Sequence, residues 1–433
     1  MTVAQRRGIP RRSMAIAAFS TVVEWYDFTL YLYFATVLAR VFFGGAAASL
    51  ATALAGFAVA YLLRPLGAVV FGHVGDRLGR RRMMLWSMAL MSLAMLATAL
   101  LPTYGAVGMA AGWLLLLLRC VMSFSVGGEY TGVVAYLLEG AAPGRRGLVT
   151  SCASAASEVG GLLAVAVAAA TVHLLDAADL ETWGWRIPFL VGAALAGGVW
   201  VARSSMEESP DFERQAATGT VPSHPLRHAL AHHRAGILRS FAISALGSIT
   251  YYVGITYVPA FLTSAGSLSE GMSLWLSTAA AVAVIVVTPV FGVLSDRWGR
   301  KPVLLGLILC GALLPIPLFR LMASGSAAQA LVGAIVLAAV AGGVSAVGAV
   351  ATAEQFPGEG RLTGLALGAT GATALFGGLA PFIAQALVDR TGWPLVPGIM
   401  IALVALLVLP VVARAPETRP GVRPGGGLSA GRR

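Results

Sequence analysis

Gly72-His73-Val74-Gly75-Asp76-Arg77-Leu78-Gly79-Arg80-Arg81 returns 220 residues later as Gly292-Val293-Leu294-Ser295-Asp296-Arg297-Trp298-Gly299-Arg300-Lys301. Both copies set an acid four residues after the first glycine and a Gly-Arg pair after that. Each lies between two long apolar runs. A second repeat has the same register: Glu139 with Pro143-Gly144-Arg145-Arg146-Gly147 is echoed by Glu354 with Pro357-Gly358, Arg361 and Gly364. Two matched pairs at equivalent loops indicate a chain built from two related halves.

The apolar runs set the class. The 433 residues are 58% hydrophobic and 11% charged, with mean hydropathy +0.81. A soluble chain is about half apolar and a quarter charged. A bilayer-crossing helix needs about 20 apolar residues, and twelve such segments are expected: near 14–38, 50–72, 83–101, 107–138, 148–174 and 187–203, then 237–263, 272–294, 302–320, 327–353, 362–388 and 394–413. The basic N-terminus (Arg6, Arg7, Arg11, Arg12) resembles a signal peptide until Glu24 and Asp27 interrupt its apolar run, so it is read as an uncleaved first span. The expected fold is all-α membrane, two pseudo-symmetric six-helix bundles. The domains are residues 1–203, a cytoplasmic linker 204–236, a second bundle 237–413 and a cytoplasmic tail 414–433.

Counting loops from a cytoplasmic N-terminus, the inner segments collect 24 of the 30 Lys+Arg, which predicts that both termini are cytoplasmic. The same clustering between spans accounts for the net charge of +11 without nucleic acid. Cys120, Cys152 and Cys310 have neither metal-site nor disulfide spacing. The linker histidines His224, His228, His232 and His233 are read as a solvated helix face, so no metal and no cofactor are expected. The single lysine, Lys301, precedes Pro302 and cannot complete a phosphate loop. No nucleophile–base constellation is present, and an enzyme is not expected.

The doubled Gly-x-x-x-Asp-Arg-x-Gly-Arg-Arg/Lys loop resembles the hallmark of the major facilitator superfamily. Glu24-Trp25-Tyr26-Asp27-Phe28, Arg64-Pro65-Leu66-Gly67, Ser125-Val126-Gly127-Gly128-Glu129-Tyr130, Gly184-Trp185-Arg186-Ile187-Pro188-Phe189 and Glu208-Ser209-Pro210 are similar to the metabolite:proton symporter family within it, over about residues 14 to 413. The resemblance implies inner-membrane uptake of a small organic acid or zwitterion with a proton. The expected partners are that solute, the proton and the lipid bilayer, with the chain acting as a monomer. Two departures stand out. Where the family reads Arg-x-x-Gln-Gly, this chain has Arg119-Cys120-Val121-Met122-Ser123. Residues 414–433 also lack the heptads of the family's osmosensing branch. A proton-coupled exporter and a non-transporting sensor are the alternatives.

Ionisable groups in hydrocarbon are functional candidates by default. Glu24 and Asp27 are expected roughly 15 to 20 Å deep and on one helix face, with Arg64, Glu129 and Glu158 at similar depth. Asp27 and Glu129 are the leading proton-coupling candidates, with Glu24 beside them. Arg64 and Arg119 are candidates for binding a substrate carboxylate. Tyr26, Tyr251, Tyr252, Tyr257 and Gln385 are candidate substrate contacts, with Thr370 and Thr373 nearby. Glu158 matches no acid that the resemblance implies. Asp76, Arg77, Arg80, Glu139, Asp296, Arg297, Arg300 and Glu354 are expected to form a cytoplasmic gate: the aspartates would face helix N-termini of the opposite half, and the arginines would pair with the glutamates.

Overall fold

The structure is a computed structural model and describes residues 9–44, 56 and 59–419; Arg6, Arg7, the start of the second span and the tail beyond 419 lie outside them. In hydrocarbon every backbone N–H and C=O must be satisfied within its own segment, so an apolar chain of this kind folds as helices. The described residues contain twelve long helical segments: α1 Arg11–Tyr33, α2 Arg64–Leu78, α3 Arg80–Ala99, α4 Ala110–Gly140, α5 Arg146–Leu174, α6 Arg186–Ser204, α7 Arg234–Tyr251, α8 Glu270–Trp298, α9 Arg300–Leu313, α10 Ala327–Ala353, α11 Arg361–Thr391 and α12 Val396–Arg414. Eight cross a membrane by length and composition alone, and ten do when α7 and α9 are joined to the short helices that continue them past bends of 44° and 45°. Pro259 and Pro315 stand at those bends, where a missing N–H breaks the ladder. The described part of α2 is 15 residues, and Glu24 and Asp27 dilute the apolar character of α1.

Apolar side chains form one core in each half, around Tyr26, Phe34, Met88 and Phe189 in the first and Ile249, Val253, Phe261 and Phe319 in the second. A third cluster, including Phe71, Met83, Tyr136, Val350, Phe356 and Leu362, joins the halves near the signature loops. The halves meet where α5 packs on α8 and α10 and where α2 packs on α11. Trp86, Leu93, Trp113, Val286 and Leu407 are exposed, as lipid-facing positions are.

Two close approaches between helices fix the functional side chains. At the α2–α4 crossing a Cβ on Gly127 would lie 2.2 Å from the Arg64 carbonyl oxygen, and one on Gly67 1.9 Å from that of Phe124. At the α1–α5 crossing a Cβ on Gly160 would lie 2.3 Å from the Val22 carbonyl oxygen. Only glycine allows such contact, the packing mode of membrane helices. The first crossing seats Arg64; the second sets Glu24 and Glu158 facing the same interior.

Candidate functional site

A cavity of about 180 Å³ lies between the halves. The first half lines it with Glu24, Trp25, Tyr61, Arg64, Tyr130, Ser154, Ser157 and Glu158, the second with Ser244, Ser248, Tyr251, Tyr252, Ser345, Thr370 and Thr373. Every charged lining residue comes from the first half. Arg64 donates to Glu24 Oε1 at 2.6 Å and to the Tyr61 hydroxyl at 3.3 Å, and Glu24 Oε2 is buried without a partner. Away from the signature loops the cavity is roofed by Tyr61 and Tyr252, whose hydroxyls share a hydrogen bond of 2.8 Å across the halves. Phe28 packs edge-on against both.

The other sequence candidates stand behind the cavity wall. Asp27 accepts from Arg119 Nη1 at 2.8 Å, leaving Oδ1 unpartnered, with the guanidinium over the Tyr31 and Phe189 rings. Glu129 is fully enclosed: Arg203 bonds both carboxylate oxygens, Ser87 donates to Oε2 at 2.5 Å and Ser20 to Oε1 at 3.2 Å. Tyr26 donates to the Pro188 carbonyl at 2.7 Å, and Tyr257 to Gln385 Oε1 at 2.8 Å. Of the expected substrate contacts, the structure brings together Arg64, Tyr251 and Tyr252. It sets Arg119, Tyr26, Tyr257 and Gln385 elsewhere, their polar atoms bonded within one half.

Arg203 requires a correction. The last residue of the expected sixth span, it was not singled out as a candidate and is fully buried at the end of α6, where Glu129 supplies its counter-charge. The apolar run of span six reaches it without a polar break, which was the available signal. Tyr61 was also missed; it stands three residues before Arg64, on the same helix face.

The signature loops form two matching clusters. Asp76 accepts from the backbone N–H of Leu362 (3.2 Å) and Thr363 (2.8 Å) at the start of α11. Asp296 accepts from Gly147 and Leu148 at the start of α5, both at 2.9 Å. Each aspartate therefore meets the positive end of a helix from the other half. Arg80 pairs with Glu139 at 3.1 Å and Arg300 with Glu354 at 3.1 Å, both within one half. Arg361 reaches across to Glu139 at 2.6 Å, and Arg146 to Glu354 at 3.7 Å. Arg77 and Arg297 are exposed. Gly79 (φ +104°) and Gly299 (φ +107°) turn the chain so that Glu208 and Glu417 cap the next helices through the N–H groups of Arg80, Arg81, Arg300 and Lys301. Glu417 is the counterpart of Glu208, legible as the acid that follows the last span of each half.

Asp211 of the linker joins Arg361 at 3.1 Å. The His228 and His232 rings stack, and His233 packs edge-on against both His228 and Phe356. Among the described residues no His, Cys, Asp or Glu group has a metal-site arrangement.

Two family models match the sequence: "Sugar (and other) transporter" over residues 13–220 and "Major Facilitator Superfamily" over residues 243–431. The chain is 31% identical to the glycine betaine/proline/ectoine/pipecolic acid transporter of Dickeya dadantii, covering 92% of this chain and 82% of that one. It is 32% identical to the alpha-ketoglutarate permease of Escherichia coli, covering 87% and 88%. A solved proton:xylose symporter bound to a bromo-deoxyglucose shares the fold at TM-score 0.76 with 21% identity, over 94% of this chain and 96% of that one. Matched in sequence and in fold along nearly its whole length, the chain belongs to the major facilitator superfamily of membrane transporters.

Proposed function

We propose that the protein is a proton-coupled symporter that takes up a small organic acid or zwitterionic metabolite by alternating access. The observation that carries this reading is the Glu24–Arg64 pair on the wall of the cavity between the halves. A substrate carboxylate that takes over Arg64 leaves Glu24 an uncompensated buried charge, which a proton neutralises. One proton then travels with each substrate. Glu24 Oε2 and Asp27 Oδ1 are buried without a hydrogen-bond partner and lie beside an arginine that a substrate can take over, whereas Glu129 is held by Arg203 and two serines. We therefore assign coupling to Glu24 with Asp27 one turn away, and a bracing role to Glu129. A cavity of about 180 Å³ suits a small metabolite better than the ~300–1,000 Å³ typical for drug-sized ligands, which favours this reading over export of drugs.

The signature loops are placed on the cytoplasmic side with both termini, on the arginine distribution. The contacts between halves there (Asp76–α11, Asp296–α5, Arg361–Glu139, Arg146–Glu354) then act as the inner gate. The pairs within one half (Arg80–Glu139, Arg300–Glu354) hold the gate's parts in position. The relatives named for zwitterions and for an organic acid support the substrate class, and bacterial inner-membrane residence goes with it.

The test is Glu24→Gln in proteoliposomes carrying an inward proton gradient, with proline, glycine betaine, 2-oxoglutarate, shikimate and citrate as solutes. The wild type accumulates at least one solute above equilibrium. The variant loses accumulation but still exchanges that solute. Accumulation by Glu24→Gln equal to wild type removes Glu24 from coupling, and no accumulation by the wild type refutes symport.

A further inference from the structure

Among the described residues Glu158 has no cationic partner. It lies on α5, 7% exposed, and lines the cavity together with Tyr251 of the other half. The cavity's charged side chains are Glu24, Arg64 and Glu158. Glu24 and Arg64 neutralise each other at 2.6 Å. The site thus holds two carboxylates against one guanidinium, and the unmatched one stands among aromatic rings. Trp25 and Tyr251 meet edge to face at 5.2 Å and 67°, and both line the same cavity as Tyr130.

We infer that Glu158, with Trp25 and Tyr251, is the specificity-determining subsite for a positively charged nitrogen, so that the substrate is a small zwitterion with an alkylated or secondary ammonium group and not a di- or tricarboxylate. The inference rests on the symport reading for the cavity itself and goes beyond it in choosing the substrate's charge. Aromatic faces attract an alkylammonium by cation–π interaction, and one carboxylate completes the charge. A zwitterion brings one cation for Glu158 and one carboxylate for Arg64, and with the co-transported proton on Glu24 every buried charge is then matched. A dicarboxylate brings two more negative charges to a site already short of a cation, which low dielectric penalises. Because Glu158 and Tyr251 belong to opposite halves, an ammonium that engages both also draws the halves together around it.

The experiment compares glycine betaine with its uncharged-carbon isostere 3,3-dimethylbutanoate, which keeps the shape and the carboxylate and loses the positive nitrogen. Binding is measured on purified full-length protein in nanodiscs by radioligand equilibrium and by tryptophan fluorescence. The expected result is at least tenfold tighter binding of the betaine by the wild type. In Glu158→Gln the ratio falls to about one, and in Glu158→Asp it is partly retained. Trp25→Leu weakens betaine binding more than isostere binding, which keeps the inference testable should Glu158→Gln fail to fold. Equal binding of the two probes by the wild type, binding of neither, or an unchanged ratio in Glu158→Gln overturns it. Uphill 2-oxoglutarate uptake without betaine binding overturns the charge assignment and leaves symport standing. Charge-selective betaine binding without proton-coupled uptake sustains the assignment and refutes symport.

Discussion

Replacing Glu129 by Gln tests whether this acid braces the first half or carries protons. Arg203 has no solvent exposure. Its guanidinium bonds both Glu129 oxygens, the Ser20 hydroxyl and the Met84 carbonyl, the last at 2.5 Å. Glu129→Gln keeps the shape but removes the counter-charge, leaving a buried cation with neutral acceptors. Breaking a buried pair from one side costs about 3–5 kcal/mol, which lowers Tm by roughly 5 °C or more. Glu129→Gln/Arg203→Met removes both charges and is expected to recover more than half of that loss, since replacing a whole buried pair by apolar packing is often near neutral. The assay is thermal unfolding of detergent-purified protein followed by tryptophan fluorescence, with uphill uptake measured on the same preparations. The double variant is expected to retain proton-driven accumulation. Wild-type stability of Glu129→Gln refutes the bracing argument. A stable double variant that exchanges substrate but no longer accumulates it refutes the assignment of coupling to Glu24 and Asp27.

Asp76→Asn and Asp296→Asn each remove the charge from two backbone N–H bonds at a helix start, worth about 1–2 kcal/mol. Each is expected to shift the inner gate toward open by roughly tenfold, read as faster maleimide labelling of Ser151→Cys, a position packed against Gly292; unchanged labelling contradicts the latch. Burial and the neighbouring His228 hold the His233 ring below its ordinary 6.5, against a smaller opposing pull from Asp76. The docked linker thus binds fewer protons than the released one, and its docking is present at neutral pH and lost as pH falls through about 6.5 and below. Exchange protection of residues 225–233, corrected for intrinsic rates, is expected to fall from pH 7.5 to 5.5 and to flatten in His233→Asn.

The doubled loop, the span lengths and the arginine bias made the two-half helical fold legible, because bilayer thickness and backbone hydrogen bonding leave few other solutions. The helix-end partners of Asp76 and Asp296 were also legible, since two copies of a motif imply two copies of a contact. The cavity was legible only in part. Depth along a span placed Glu24, Asp27, Arg64, Glu129 and Glu158 at one level, but which way each faces depends on helix rotation. That rotation is set by glycine contacts such as Gly127 on Arg64 and Gly160 on Val22, and no periodicity in the sequence reports them. For this reason Glu158 lines the cavity while Asp27 and Glu129 stand behind it. Arg203 was passed over on the same ground: a charge at a span's end looks like a topology anchor until its buried partner is known.

Coupling is measured most directly by adding substrate outside de-energised proteoliposomes, weakly buffered outside and with no imposed gradient, and following external pH. The account predicts alkalinisation that begins with substrate addition, collapses with a protonophore, and is absent in Glu24→Gln although exchange persists. Substrate entry with no change in external pH, or with acidification, would contradict proton symport.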